Sequence, residues 1–304
     1  MQWNDSSPVV QSARRIAERL RANIVSLDSM KVYRGMDAGT AKPTAEELAR
    51  VPYLMLSFLD PSESNSMGQF LDRAEATIRD LDAKGIPVVC EGGSIMYVKG
   101  LVEGVFKGPA RNAEVRKALK EQAMRDGVPA LHAKLKGVDP LAAEKIGPND
   151  YKRIERALEV WELSGTPISS LQTQWGKRRE DFDFRLAGLR WERKKLYERI
   201  NLRADAMLKS GWIDECRALL NRPLSPEALM AHGYRAVFAH LRGEISYNEM
   251  LDWIRKDTRH YARRQMSWFG KFPGMAWVDA DESKNAEQLA DEVLAAWESQ
   301  KIIH

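Results

Sequence analysis

The stretch Ser-Leu-Asp-Ser-Met-Lys-Val-Tyr-Arg-Gly-Met-Asp-Ala-Gly-Thr-Ala-Lys-Pro, residues 26–43, gathers more chemistry-bearing side chains than any other part of the chain. It follows the apolar run Asn23-Ile24-Val25, which reads as a short buried strand. Asp28 therefore stands just past a strand end, where open α/β sheets place their chemistry. A carboxylate in that position is a candidate proton acceptor. Tyr33, Arg34, Asp37, Thr40 and Lys42 then crowd into a loop with two glycines, Gly35 and Gly39. A solvated surface loop needs neither that density nor that variety. Asp28 alone would read as a helix cap; the company it keeps argues for a site.

Further along, Ile86-Pro87-Val88-Val89-Cys90 reads as a strand running into Glu91-Gly92-Gly93-Ser94. Two glycines let backbone approach a ligand closely, and Ser94 can cap a helix starting at Ile95. A tight strand-to-helix turn accounts for the glycines equally well. Arg199 and Arg203 are four apart on a helix expected over 192–210 and share a face, which invites an anion. Glu198 supplies the alternative of a local ion pair. Between Arg255 and Lys271 lie Arg255, Lys256, Arg259, Arg263, Arg264 and Lys271, with Asp257 the one acid, an excess able to attract a phosphate backbone.

The elements that must hold these groups alternate. A helix is expected over 11–21, strands at 23–27 and 53–56, a helix through Phe70, Leu71, Ala74, Ile78 and Leu81 closed by Gly85, then the strand at 86–90. That order argues for a parallel sheet covered on both faces. Residues 110–180 are almost strand-free and read as a helical insertion, with Lys152, Arg153 and Arg156 on a helix capped by Asp150. Sheet signals return at 185–189. Ser246 and Glu249 form a capping box for a long helix reaching Trp268, and 276–278 and 284–298 supply a last strand and helix.

The chain has 304 residues, 44% hydrophobic and 30% charged, the profile of a globular enzyme with one large domain or a core plus an insertion. No run approaches a membrane span, and no apolar leader is evident. Two cysteines, Cys90 and Cys216, exclude a disulfide framework, and Cys90 is expected as a small buried hydrophobe. A cytoplasmic monomer is expected. The net charge of +4 does not by itself mark a nucleic-acid partner.

The pattern Asp-Ser-x-x-x-Tyr-Arg-Gly-x-Asp-x-Gly-Thr-x-Lys-Pro over residues 28–43 resembles the tRNA dimethylallyltransferase (tRNA adenosine isopentenyltransferase) family. The likeness continues through Asp60-Pro61, Gly92-Gly93-Ser94 with Tyr97, Pro148-Asn149-Asp150, Arg153 with Arg156-Ala157-Leu158-Glu159-Val160, Gly233-Tyr234-Arg235, and Arg264-Gln265 with Trp268. Several separated motifs in order are far more specific than any one. The resemblance implies an α/β fold, a P-loop-NTPase-like parallel sheet with helices on both faces and a helical insertion domain. The core would be 1–109 with 181–304, and 110–180 would bind tRNA.

It further implies transfer of a dimethylallyl group from dimethylallyl diphosphate to N6 of the adenosine 3′ of a tRNA anticodon, with Mg2+ as cofactor and the nucleotide-binding character of ATP-binding folds. Asp28 would be the general base, Ser94 would lie near the reacting adenosine, and Arg203 would contact diphosphate with Thr40 and Lys42. The tRNA contacts implied are Asp28, Ser29, Met30, Lys31, Tyr33 and Arg34; Lys152, Arg153, Ile154, Glu155 and Arg156; Gly233, Tyr234 and Arg235; and Arg259, Arg263 and Arg264.

One departure stands at the N-terminus. Family members open with an apolar strand and a Gly-rich phosphate loop ending Gly-Lys-Ser/Thr, which cradles phosphates and holds magnesium. In register, the lysine falls on Val9, the metal-binding hydroxyl on Val10, and the glycines on Trp3 and Pro8; residues 1–8 contain no apolar strand. A missing central strand would leave backbone groups unpaired between its neighbours. The alternative is thus a truncated or degenerate member that binds tRNA without catalysis, and the chain as it stands is expected to turn over little. Smaller departures are Pro52-Tyr53 in place of histidines, Ser57 in place of an acid, and Ala236 in place of glutamine. A phosphate-loop kinase of small molecules and a prenylating enzyme of free adenine nucleotides remain competing classes, disfavoured by the Tyr-Arg-Gly loop, the basic helix and the insertion.

Overall fold

A computed structural model describes residues 8–300 apart from 107 and 175. The expected loss of an N-terminal strand and phosphate loop falls on residues 1–7, outside the described residues, except for Pro8, Val9 and Val10. Those three open helix α1, Pro8–Leu20, whose Val10, Ala13, Ile16 and Ala17 are buried. The helix begins three residues earlier than its spacing predicts.

The chain divides into two compact units: the described residues up to Leu101 together with those from Glu180 onward, and Val102–Arg179. In the first unit, β1 (Asn23–Ser26) is central to a parallel three-stranded sheet, flanked by β2 (Tyr53–Leu54) and β3 (Val88–Glu91). Ile24 pairs with Val89 and Tyr53, and Ile24 and Val25 are both fully buried. Successive residues of a strand face opposite sides, so both sheet faces are covered. The second strand stops at Leu54 because Met55 and Ser57 take left-handed backbone conformations.

Two further strands, β4 (Leu186–Trp191) and β5 (Met275–Ala280), pair in parallel as a separate sheet with Leu186 against Met275. Among the described residues no ladder joins the two sheets. One side-chain core unites them instead: Ala13, Ile16 and Ala17, Ile24 and Val89, Val278 and Ala280, and Leu289, Ala290 and Val293 of the last helix pack together. Cys90, expected to be buried, is exposed.

The helices of this unit obey their caps. After α2 (Ala45–Arg50), α3 (Met67–Ala83) starts from a capping box of Ser66 and Gln69 and ends where Gly85 adopts a left-handed φ of 67°. Helix α4 spans Ile95–Glu103.

In the second unit, α5 (Ala113–Asp126), α6 (Val128–Val138), α7 (Pro140–Lys145), α8 (Tyr151–Ser164) and α9 (Ile168–Leu171) enclose a core of Leu119, Leu131, Leu135, Ile154, Leu158 and Ile168. No strand occurs among its described residues. Asp150 caps α8 by accepting from the Arg153 amide. Asp139, 2% exposed, accepts from the amides of Ala142 and Ser169 at 2.9 Å each and so ties α7 to α9. Glu159, buried on α8, accepts two hydrogen bonds from Arg116, one from Arg156 and one from the Asn112 amide. Burial alone would favour the neutral acid; those donors outweigh it and hold the carboxyl at about 2. The unit closes on itself where the Arg179 amide donates to the Val102 carbonyl at 3.0 Å.

After β4 the first unit continues with α10 (Arg193–Met207), a π-helical segment Leu208–Trp212 kinked at Gly211, α11 (Ile213–Leu219), α12 (Pro226–Leu229), α13 (Tyr234–Leu241), α14 (Tyr247–Phe269) and α15 (Ala286–Ser299). The predicted Ser246–Glu249 capping box starts α14.

Candidate functional site

The site begins where β1 runs out. The Leu27 amide still donates to the Glu91 carbonyl of β3, at 2.6 Å, and the next residue turns away from the sheet. Asp28 Oδ1 accepts from the amides of Met30 at 2.7 Å and Lys31 at 3.2 Å, which folds the loop back on itself. Its other oxygen, Oδ2, accepts no hydrogen bond among the described residues.

The end of β3 is brought tightly alongside. Gly92 has φ of 156°, and a Cβ there would lie 2.4 Å from the Leu27 carbonyl oxygen, so only glycine allows the approach. Ser94 is 8% exposed, and its Oγ accepts from the Ser29 amide at 3.0 Å. It therefore stitches the two loops together from the position just before α4, where its carbonyl accepts from the Val98 amide at 3.0 Å. From α14, Tyr261 Oη and Gln265 Nε2 both donate to the Gly93 carbonyl, at 2.9 and 2.8 Å. Burial, and then the negative charge of Asp28, push the Tyr261 phenol up. Asp28, Ser29, Ser94, Tyr261 and Gln265 form one constellation.

Several residues expected in the site are committed elsewhere. Lys31 is 4% exposed; its Nζ is paired with Glu91 Oε1 at 3.1 Å, the same oxygen to which Ser26 Oγ donates. A buried ammonium held this way is not presented to an RNA. Tyr33 is fully buried, with its hydroxyl facing Ser225 Oγ. Lys42 Nζ donates to the Tyr33 carbonyl, Asp37 Oδ1 and Ser57 Oγ, and Thr40 Oγ1 donates to the Met36 carbonyl at 2.6 Å. Both side chains brace the 33–43 loop, in place of the diphosphate contact expected of them. Met30 is half-buried, and Arg34 is exposed, donating to the Phe58 carbonyl.

The loop has a keystone that its own sequence does not reveal. Glu215 of α11 accepts from three successive amides, Asp37 at 2.5 Å, Ala38 at 2.7 Å and Gly39 at 3.2 Å, and from Tyr234 Oη at 2.5 Å. Trp212 lies against both glycines: a Cβ on Gly39 or Gly233 would fall within 2.2 Å of its indole. Gly233, with φ of 80°, opens α13, and Tyr234 is fully buried with its phenol pushed far up, first by burial and then by the Glu215 charge. Gly233 and Tyr234 thus support the loop from beneath rather than reaching out to tRNA. The signal that finds Glu215 is tertiary; a lone glutamate on a short helix carries none.

Along α14, Arg255 pairs with Asp205 and Arg259 Nη1 donates to Asn201 Oδ1 at 2.8 Å, so both turn towards α10 rather than outward. Arg263 and Arg264 are exposed and have no ion-pair partner among the described residues. With His232, Asp257 and His260 they line a cleft of about 290 Å³. The His232 ring stands 4.7 Å from that of Tyr261, and Arg264 lies over the other's face at 5.7 Å. Arg235 is exposed above Trp253. Arg203 is half-buried on α10, one turn from Arg199, which stacks on Trp191 at 4.5 Å.

In the inserted unit, Lys152 and Arg153 are exposed at the start of α8, Arg153 leaning on Asp150. Arg156 is spent on Glu159 and the Pro109 carbonyl, and Glu155 accepts from Tyr151 Oη at 2.7 Å. Ile154 belongs to the core and cannot meet a ligand.

The model of the IPP transferase family matches residues 31–272. The chain belongs to that family. It is 39% identical over 269 residues to a tRNA dimethylallyltransferase of Geobacter metallireducens, covering 88% of this chain and 87% of that one. A second relative of the same name, from Syntrophobacter fumaroxidans, is 42% identical over 275 residues, covering 89% and 80%. Among solved structures, the full-length tRNA isopentenylpyrophosphate transferase of Bacillus halodurans superposes with a TM-score of 0.67 at 34% identity, covering 95% of this chain and 93% of that one. A eukaryotic dimethylallyltransferase acting on tRNA shares the fold at a TM-score of 0.79 and 21% identity, covering 93% and 74%.

For an IPP transferase the fit of a magnesium ion can be tested on the donors present. Val10, at the position of the usual hydroxyl ligand, is a buried hydrocarbon in the first turn of α1, and Val9 beside it is 40% exposed. Among the described residues no three His, Cys, Asp or Glu side chains converge on a point that would hold a metal. Neither valine side chain carries an atom that could ligate magnesium at that position.

Proposed function

We propose that the chain transfers a dimethylallyl group from dimethylallyl diphosphate to N6 of the adenosine adjacent, on the 3′ side, to the anticodon of tRNA. Relatives at about this level of identity carry the name tRNA dimethylallyltransferase over most of their length. The observation that carries the reading is the Asp28 carboxylate, held by two amides through one oxygen and open at the other, at the carboxyl end of a parallel strand.

The adenine amine is a poor nucleophile because its lone pair is delocalised into the ring. It attacks the allylic carbon as the carbon–oxygen bond to diphosphate breaks, and the bonding pair leaves with the diphosphate. Asp28 Oδ2 takes the N6 proton as the new carbon–nitrogen bond forms. Ser94, fixed by the Ser29 amide, sits within reach of the same loop to orient the base, and Arg203 offers positive charge to the departing diphosphate. Arg34, Arg235, Arg263 and Arg264, and in the inserted unit Lys152 and Arg153, are the exposed cations through which a folded RNA is gripped. A monomer acting in the cytoplasm completes this reading. Among the described residues no helix is long and apolar enough to cross a membrane.

The test is Asp28→Asn. Asparagine retains the oxygen that caps Met30 and Lys31 but cannot accept the proton. Incorporation of labelled isoprenoid into tRNA should fall by about 10²- to 10⁴-fold, with tRNA binding little changed. Undiminished turnover removes Asp28 as the base.

Val9 and Val10 favour a second reading, in which the chain binds tRNA and transfers nothing, because neither side chain can neutralise a diphosphate. Normal tRNA binding with no measurable binding of dimethylallyl diphosphate would select it.

A further inference from the structure

We propose that the cleft formed by His232, Asp257, His260, Arg263 and Arg264 seats a backbone phosphate of the RNA, and that the two histidines make that grip proton-dependent. The inference rests on RNA being the substrate and goes beyond it by naming a subsite and its control.

The cleft's volume of about 290 Å³ matches the liquid volume of roughly ten waters. That is room for a phosphodiester and its hydration. Two guanidiniums supply fixed positive charge. The one carboxylate, Asp257, is partly satisfied by Trp253 Nε1 at 3.0 Å. With both imidazoles neutral the cleft carries one surplus positive charge; with both protonated it carries three. Imidazole is the side chain that makes such a change between pH 5 and 8.

The neighbours of each ring are accounted for. Facing His232 are Arg264, Asp257 and Tyr261 of α14 and, beyond them, Asp28. Loss of water around the ring, and then Arg264, hold its pKa below the usual imidazole value, while the two aspartates oppose them. A phosphate entering the cleft would offset Arg264 and draw a proton onto the ring. Proton uptake and phosphate binding therefore reinforce each other, as linkage requires. His260 shares α14 with Lys256, Asp257, Arg263 and Arg264. The helices packed on α14 add little: α10 brings Asp205 and Asn201, engaged by Arg255 and Arg259, and α13 brings Arg235, stacked on Trp253. The cleft also lies beside the catalytic loop, since Tyr261, against His232, donates to the Gly93 carbonyl.

The experiment measures the affinity of the full chain for an anticodon stem-loop RNA at about pH 6 and about pH 8, each over a range of salt. The unsubstituted protein should bind roughly tenfold more tightly at the lower pH, with a steeper salt dependence there. His232→Asn with His260→Asn should bring the two affinities to within about twofold, and Arg263→Gln should weaken binding at both and lower the salt slope by about one. As a measurement free of substitution, NMR titration of the unsubstituted protein should show the His232 imidazole pKa rising when the RNA is added. A pH dependence that survives in the double variant, or a His232 imidazole indifferent to RNA, overturns the proposal while leaving tRNA as substrate. RNA binding unaffected by Arg263→Gln places the phosphate elsewhere and does the same. No RNA binding at either pH overturns both this proposal and the function on which it rests.

Discussion

Replacing Glu215 by alanine removes the acceptor of four hydrogen bonds at once, three from the successive amides of Asp37, Ala38 and Gly39 and one from the Tyr234 hydroxyl. Hydrogen bonds to a charged group contribute about 1.5–3 kcal/mol each, and a buried donor left unpaired costs about 1–3 kcal/mol. The three amides lie at a partly exposed loop and regain water, so they count at the low end or below it. Tyr234 is fully buried and pays in full. A loss of about 3–4 kcal/mol in the stability of the loop's closed form follows. At 1.4 kcal/mol per factor of ten, hydrogen exchange at residues 37–39 should accelerate by roughly 10²- to 10³-fold, up to the limit set by global unfolding. Glu215→Gln keeps one acceptor oxygen but presents an NH₂ to donors, and should lie between. The assay is peptide-resolved hydrogen exchange, with the 113–126 helix of the other unit as an internal reference. Exchange at 37–39 within threefold of the unsubstituted protein would refute the idea that Glu215 shapes this loop.

Gly92→Ala places a methyl 2.4 Å from the Leu27 carbonyl in a backbone conformation that only glycine tolerates, so it should destabilise the protein by more than about 2 kcal/mol, read from urea unfolding. Because the shift falls on the residue before Asp28, transferase activity should drop further than stability alone explains. Glu159, held at about 2 in the native state against about 4.5 when unfolded, contributes stability that is complete above the unfolded value. That stability is lost as pH falls from about 4.5 towards 2, and Glu159→Gln should flatten the acid limb by up to ~3 kcal/mol. Helical ellipticity followed down this pH range checks it; an unaltered acid limb would mean that Arg116 and Arg156 do not hold the carboxylate in solution.

Much of the fold is legible in local patterns. Asp150 and Ser246 announce helix starts because their side chains bond the first free amides, an interaction confined to one turn. Strand β1 is legible from three residues because nothing but burial on both faces explains Ile24-Val25 beside so polar a loop. Asp28 is legible for the same reason, as an acid at a strand end. The roles of Lys31, Thr40 and Lys42 are not, since an exposed cation and a buried one look alike until their partners, Glu91, Met36 and Ser57, are known. Arg259 fails likewise: its stripe on α14 is correctly periodic, but Asn201 lies on a helix some sixty residues earlier. Glu215 is invisible because its four donors come from two distant stretches. The splitting of the sheet depends on which edges meet, and periodicity does not encode edges.

The hydrogen bond from the Arg179 amide to the Val102 carbonyl gives the inserted helices a shared doorway, entrance and exit one bond apart. A segment tethered so becomes a cassette. The rest of the polypeptide registers only that its two ends coincide, and lengthening the excursion twofold costs about 0.6 kcal/mol of closure entropy. A chain built on this plan is therefore free to enlarge, trim or exchange the module while its two ends stay where they are.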